Sequence, residues 1–215
     1  MALDISESAV YSWLRHIEGY SIVHNNWKLS PLQIDEYAND EMVLQLFESA
    51  NNKWNEYYGK PLFNSSLKQT LKQAECDAIG IKVEEGFMAV AMAEVACHTE
   101  GLMYGNNSKT ADKIFAKILL DIMMSYLCFG QSNLKAYFIS PVVKPSVINS
   151  INERIPAANE ALTGTAFAES SIELIFNDDY KQKINDPLKE LVSQKKLTSA
   201  EDAEDYLRSL MIYDL

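Results

Sequence analysis

The chain has 215 residues, 47% hydrophobic and 23% charged, with a formal net charge of −11. Such a chain is long enough to bury a sizeable core, and its composition excludes a disordered or collagen-like protein. The acidic balance argues against general affinity for nucleic acid, because neutralising phosphate needs clustered Lys and Arg.

The acid gathers in the C-terminal segment from Ser199 onward, whereas the middle carries Lys60, Lys68, Lys72, Lys109, Lys113 and Lys117. A basic channel on an acidic body is therefore compatible with the composition. No apolar run is long enough to span a bilayer, and no signal-peptide pattern opens the chain. Cys76, Cys97 and Cys128 make no C-x-x-C pair. Together these features point to a reducing, cytoplasmic setting without a structural zinc site.

In chain order, Val10, Trp13, Leu14 and Ile17 recur at helical spacing and predict a first helix over 6–18. Asp4 can cap it, and Glu7 falls both at the reciprocal capping position and on the inward stripe. Tyr20–Val23 reads as a strand, followed by Asn25, Asn26, Trp27 and Lys28. Asp35–Tyr58 reads as one helix ended by Gly59 and Pro61. A short helix over 65–73 follows. The stretch 29–73 is expected to pack as an insertion on one side of a sheet.

Two central strands come next. The second, Phe87–Cys97, is nearly all apolar, as in a strand buried on both faces, and Glu94 is its one charged residue. An ionised carboxylate there is costly unless a metal or a cation accompanies it. Asp77 opens the preceding strand, and alternation can bring it to the same sheet edge as Glu94. Two such carboxylates suggest a divalent-metal site. His98 shares the Glu94 face by the period of two.

A helix over 110–128 follows, with Ala111, Ile114, Phe115, Ile118, Leu119, Ile122 and Met123 on its core face and Lys109, Asp112, Lys113 and Lys117 off it. Lys135–Val143 reads as a fourth strand, and a helix from Pro145 to about Ala161 is broken at Pro156. Ile172–Phe176 reads as a fifth strand. Asp178 or Asp179 caps a helix reaching about Gln194. Thr198 with Glu201 marks a last helix, through about Leu210. Helices and strands alternate throughout, so the fold class is α/β, a mixed central sheet of about five strands flanked by helices in one domain over 1–215. Residues 144–215 form its mainly helical extension.

Four pieces in this order carry a family likeness: Glu7 with Trp13-Leu14 and Gly19-Tyr20; Asn26-Trp27-Lys28; Glu75-Cys76-Asp77-Ala78-Ile79; and Val90-Ala91-Met92-Ala93-Glu94-Val95-Ala96 before a lysine-bearing helix. With these the chain resembles the PD-(D/E)xK, or restriction-endonuclease-like, nuclease superfamily, and within it archaeal Holliday-junction resolvases and small bacterial nuclease-like proteins. The likeness covers 5–28 and about 75–143. It implies a Mg2+- or Mn2+-dependent DNA endonuclease in which Asp77, Glu94 and the Val95 carbonyl hold the metal and Glu7 supports it.

The pattern's catalytic lysine stands where this chain has Ala96, so the likeness implies an impaired enzyme, an engineered or naturally altered position, or a lysine that has migrated. Lys82 and Lys113 are the candidate replacements, and Glu75 and His98 are further candidates at the site. A homodimer follows from the likeness, as relatives cut two strands. The alternatives are a non-catalytic member that binds a partner protein or nucleic acid, and a defence effector activated by a partner.

Overall fold

The computed structural model describes residues 5–193 apart from 85, 99, 131 and 132. Helix α1 spans Ile5–His16 and strand β1 spans Ile22–Trp27. The insertion supplies α2 (Pro31–Tyr37), α3 (Glu41–Tyr58) and α4 (Leu67–Gln73). Strands β2 (Cys76–Glu84) and β3 (Phe87–Val95) form a hairpin, and α5 (Asn107–Phe129) leads to β4 (Lys135–Ser140). Helices α6 (Pro145–Asn152) and α7 (Ile155–Leu162) lead to β5 (Ser171–Phe176). A short α8 (Asp178–Tyr180), a π-helical segment (Lys181–Asn185) and α9 (Asp186–Ser193) complete the described chain.

The five strands form one sheet in the order β1-β2-β3-β4-β5. Neighbours are antiparallel from β1 to β3 and parallel from β3 to β5. Parallel neighbours need a crossover, and α5 and the α6–α7 pair provide the two that this sheet requires. The sheet is thus mixed and flanked by helices, as the alternation of elements leads one to expect.

Alternation along β2 and β3 splits the core into two layers. Ile79, Val90 and Met92 face α5 and the insertion, packing with Trp54, Ile114, Ile118 and Met123. Ala78, Ala91 and Ala93 face the other way, against Ala9, Val10, Trp13 and Leu14 of α1 and Ile184 and Leu188 near the C-terminal end of the described chain. The alanines let α1 approach the sheet closely. Gly80 in turn makes room for Tyr20, between α1 and β1, since a Cβ there would stand 2.7 Å from Cγ of Tyr20.

Several boundaries differ from the sequence expectation, each for a local reason. Strand β1 runs to Trp27 and so contains Asn25 and Asn26; Asn26 takes a left-handed φ of 53°, which asparagine tolerates, and Asn25 and Trp27 still pair with Ala78 and Cys76. The single helix expected over 35–58 is two helices. Ser30 caps α2 in a capping box with Gln33, and Asp40 caps α3 by accepting from the Met42 and Val43 amides. The break expected at Pro156 falls one turn earlier, and Pro156 sits in the first turn of α7, where its missing N–H costs nothing. Asn177, rather than Asp178 or Asp179, precedes α8. The Asp4 cap and the helix expected over 198–210 lie outside the described residues.

The Gly80–Tyr20 contact yields a test. Gly80→Ala forces the ring, only 3% exposed, to move, and should destabilise the protein by about 1–3 kcal/mol in urea denaturation. Adding Tyr20→Ala should recover part of that loss, giving a coupled rather than additive double variant.

Candidate functional site

The β2–β3 register pairs Ala78 with Ala93, which sets the adjoining Asp77 and Glu94 opposite each other at the carboxyl end of β3. Their carboxyl groups lie within hydrogen-bonding reach, and one Asp77 oxygen also accepts the Val95 N–H at 2.8 Å. Both side chains fall on the α5 side of the sheet. Glu94 is 1% exposed. Its Oε2 accepts from the Nζ of Lys117, which reaches across from α5. The Lys117 side chain is 32% exposed and Asp77 is half-buried, so the group opens to solvent on those two residues.

One turn along α5, Asp121 is buried, and among the described residues neither its Oδ2 nor the Ser125 hydroxyl has a hydrogen-bond partner. Burial pushes the Glu94 carboxyl up to about 8; Lys117 pulls it back, and the Asp77 charge raises it further. Burial also lifts Asp121 well above the carboxylate range, with the Glu94 charge adding to it. Burial works against the Lys117 ammonium, but the Glu94 and Asp77 charges outweigh it and hold the ammonium protonated. Three carboxyls facing one ammonium would carry two excess negative charges if all ionised, so the cluster retains protons unless further positive charge arrives.

Tyr104 closes one side. Its phenol is raised by burial, with the Lys117 charge opposing and the Glu94 and Asp77 charges adding. Lys113 Nζ lies 4.0 Å from the centre of that ring, and His98 meets the ring edge-on at 5.8 Å. The segment that carries His98 and Tyr104 is pinned at the carboxyl end of β4, where the Ala96 N–H donates to Ile139 O at 2.9 Å and the Leu102 N–H to Val142 O at 3.0 Å.

The other expected residues fall as follows. Ala96 is 4% exposed and part of the core on the α5 side. Lys82 donates to the Glu18 carbonyl at 3.3 Å and lies over the Tyr20 ring, in the opposite layer, so it is not the lysine at the pair. Lys113 stacks on Tyr104 instead of reaching Glu94. Glu75 pairs with Lys28 at 2.9 Å, tying the ends of β1 and β2. Glu7 is half-buried in the first turn of α1, the helix across the sheet from α5. His98 is exposed in the loop beyond β3.

The sequence reading set Lys117 off the core face without assigning it, and it passed over Asp121 and Tyr104. Asp121 carried the same signal as Glu94, being the one charged residue in the apolar run Ile118–Cys128.

Among the described residues no group of three or more His, Cys, Asp or Glu is placed to hold a metal ion. Mg2+ asks for less: it commonly takes one or two carboxylates and completes its shell with water and substrate phosphate. The hard oxygens of Asp77 and Glu94 fit that sparse mode.

The raised Glu94 pKa has a testable consequence. Unfolded, the carboxyl titrates near 4.5; folded, it keeps its proton to about 8. Between those values the folded state binds more protons, so the stabilising share from this group is full below pH 4.5 and is lost as pH rises through 8. Relative to Glu94→Gln, the wild-type chain should lose a few kcal/mol of stability across that window, read by denaturation at stepped pH. Parallel pH profiles for the two proteins would show that the carboxyl titrates normally.

Compared with known proteins, the chain matches no family model, no curated protein and no solved structure.

Proposed function

We propose that the protein is a Mg2+-dependent phosphodiesterase of the restriction-endonuclease-like type, acting on nucleic acid, with Lys117 in the role that the family pattern gives to the lysine expected at Ala96. The observation that carries this reading is the Asp77–Glu94 pair met by the Lys117 ammonium at the carboxyl end of a buried strand. The element order supports it: α1, β1, the Asp77 strand, the Glu94 strand and the lysine-bearing α5 follow one another as in the pattern that the sequence resembles. Ligands of open α/β sheets commonly sit beyond the carboxyl ends of the strands.

When bound, the metal would polarise the phosphate and acidify the attacking water. Asp77 and Glu94 would hold it, with the Val95 carbonyl at the same strand end. Lys117 offsets the negative charge that gathers on the phosphate and orients the water by a hydrogen bond. Tyr104 and the cation of Lys113 beside it bind the neighbouring phosphate oxygens. Buried surroundings strengthen each of these contacts relative to water. DNA is the substrate class that the resemblance gives.

A second reading has one observation in its favour. Lys117 already meets Glu94, and Asp77 already accepts a backbone amide, so the group could be a closed structural pair in a binding protein. Metal titration separates the two. Under the nuclease reading, Mg2+ or Mn2+ at pH 8 raises the melting temperature of the wild-type chain and supports cleavage of DNA, and Asp77→Asn abolishes both effects.

Lys117→Ala keeps the thermal shift and loses ~10²–10³ in rate. Ala96→Lys gains nothing, because the position is already core. A wild-type chain that neither gains stability from metal nor cuts would leave the structural pair standing. Cleavage that survives Lys117→Ala, or that rises with Ala96→Lys, would remove Lys117 from its assigned role.

A further inference from the structure

A second feature adjoins this site along α5. Lys109, Lys113 and Lys117 recur every four residues, so successive members rise by ~6 Å and the three span ~12 Å of helix. Facing the first two, the segment after α3 forms the opposite wall of a cleft of about 460 Å3, lined by Lys60, Pro61, Leu62 and Asn64 on one side and Lys109, Asp112, Lys113 and Ala116 on the other. Its lining combines the apolar Pro61, Leu62 and Ala116 with the cationic Lys60, Lys109 and Lys113.

The charges in this cleft are not balanced. Asp112 is its one lining carboxylate, and it is fully engaged: it accepts from Lys60 Nζ at 2.5 Å, Trp54 Nε1 at 3.1 Å and Arg154 Nε at 3.2 Å. The ion pairs of α5 run through Asp112 and Lys117, and among the described residues Lys109 and Lys113 form none. A chain of net charge −11 thus presents a local cationic slot beside its candidate reaction site. Such a slot focuses the field on an anionic ligand even when the body repels it.

We propose that this cleft holds the phosphodiester backbone of a nucleic-acid strand a few nucleotides from the bond placed at Asp77 and Glu94. The proposal rests on the reading of those carboxylates as a phosphodiester site and names how the substrate is seated there. Lys109 and Lys113 take phosphate oxygens, and Pro61, Leu62 and Ala116 underlie the sugar. At ~3.4 Å of rise per nucleotide, the ~12 Å from Lys109 to Lys117 corresponds to three or four steps of a stacked strand. Lys60 and Asn64 make the insertion one wall of the substrate path.

The test measures binding without cleavage. Glu94→Gln protein, free of divalent metal, is titrated into fluorescent dT16 and into a duplex of the same length, and anisotropy is followed at several salt concentrations. The outcome does not depend on whether the chain cuts. The cleft predicts salt-dependent binding that falls at least about tenfold when Lys109→Ala and Lys113→Ala are added, with the salt slope reduced by about two. Lys181→Ala with Lys189→Ala, on the far side of the sheet, should leave affinity unchanged. Circular dichroism checks that each variant is folded.

Preference for dT16 or for the duplex identifies the source of the backbone, and either supports the proposal. Binding that Lys109→Ala/Lys113→Ala leaves intact would overturn it, as would no binding of either probe at low salt. Equal affinity for a polyglutamate peptide of matched charge would assign the cleft to an acidic protein surface and overturn it as well.

Discussion

The site depends on the burial of Glu94. Every other charged side chain near it is arranged around a carboxyl that the sheet has removed from water. An isolated carboxylate in that position would be prohibitive, so it must hold a proton, meet a cation, or both. The structure shows both tendencies: burial raises the carboxyl, and Lys117 crosses from α5 to meet it. Breaking such a pair by removing the lysine is far more damaging than replacing both partners with hydrocarbon. Replacing a buried ion pair with hydrocarbon is often neutral or stabilising, so three acids around one base are not what packing alone calls for.

The sheet topology explains why the charges meet where they do. Antiparallel pairing brings the start of β2 against the end of β3, so residues 77 and 94 become neighbours. Parallel pairing of β3 with β4 then forces a crossover, and that crossover, α5, must pass over the same face on its way back. Lys117 and Asp121 therefore sit above Glu94 because the connection has to run there. Ala96 and Leu102 bond to β4 and to Val142 just beyond it at the same strand end, and His98 and Tyr104 come from that connection.

Much of this was legible in the residues, and the limits were physical. The apolar run of β3 announced both its burial and the anomaly of Glu94. The alternation of elements announced the mixed sheet. The split between α2 and α3 was readable in Ser30 and Asp40, each a good cap, since the apolar stripe begins only at Val43, beyond the break. Lys117 was not legible as a partner, because a helix shows only which of its faces is apolar, not which residue of the next layer faces a given turn. Ala96 drew attention because a motif position is defined by spacing along the strand. An ammonium group, however, needs only to arrive in space, and a long side chain from the adjoining layer can supply it. Lys82 and Lys113 had the charge, but the first points into the opposite layer and the second is taken up by Tyr104.

Arg154 bears on the insertion as a whole. It is 5% exposed, stacks on Tyr58 of α3 at 4.6 Å, and donates to Asp112 and Ser108 of α5 at 3.2 and 2.6 Å. From its place just before α7, one guanidinium thus bolts three helices together. Ser49 and Tyr57 of α3 add bonds to Ala161 and Glu160 of α7. The half of α3 from Ser49 to Tyr58 is thereby fastened to its neighbours, in the manner of a buttress. The wall of the cleft at 60–64 leaves the end of that buttress and is tied back to it where the Phe63 N–H donates to Asn51 Oδ1 at 2.8 Å, so whatever enters the cleft meets a surface that α3 itself braces.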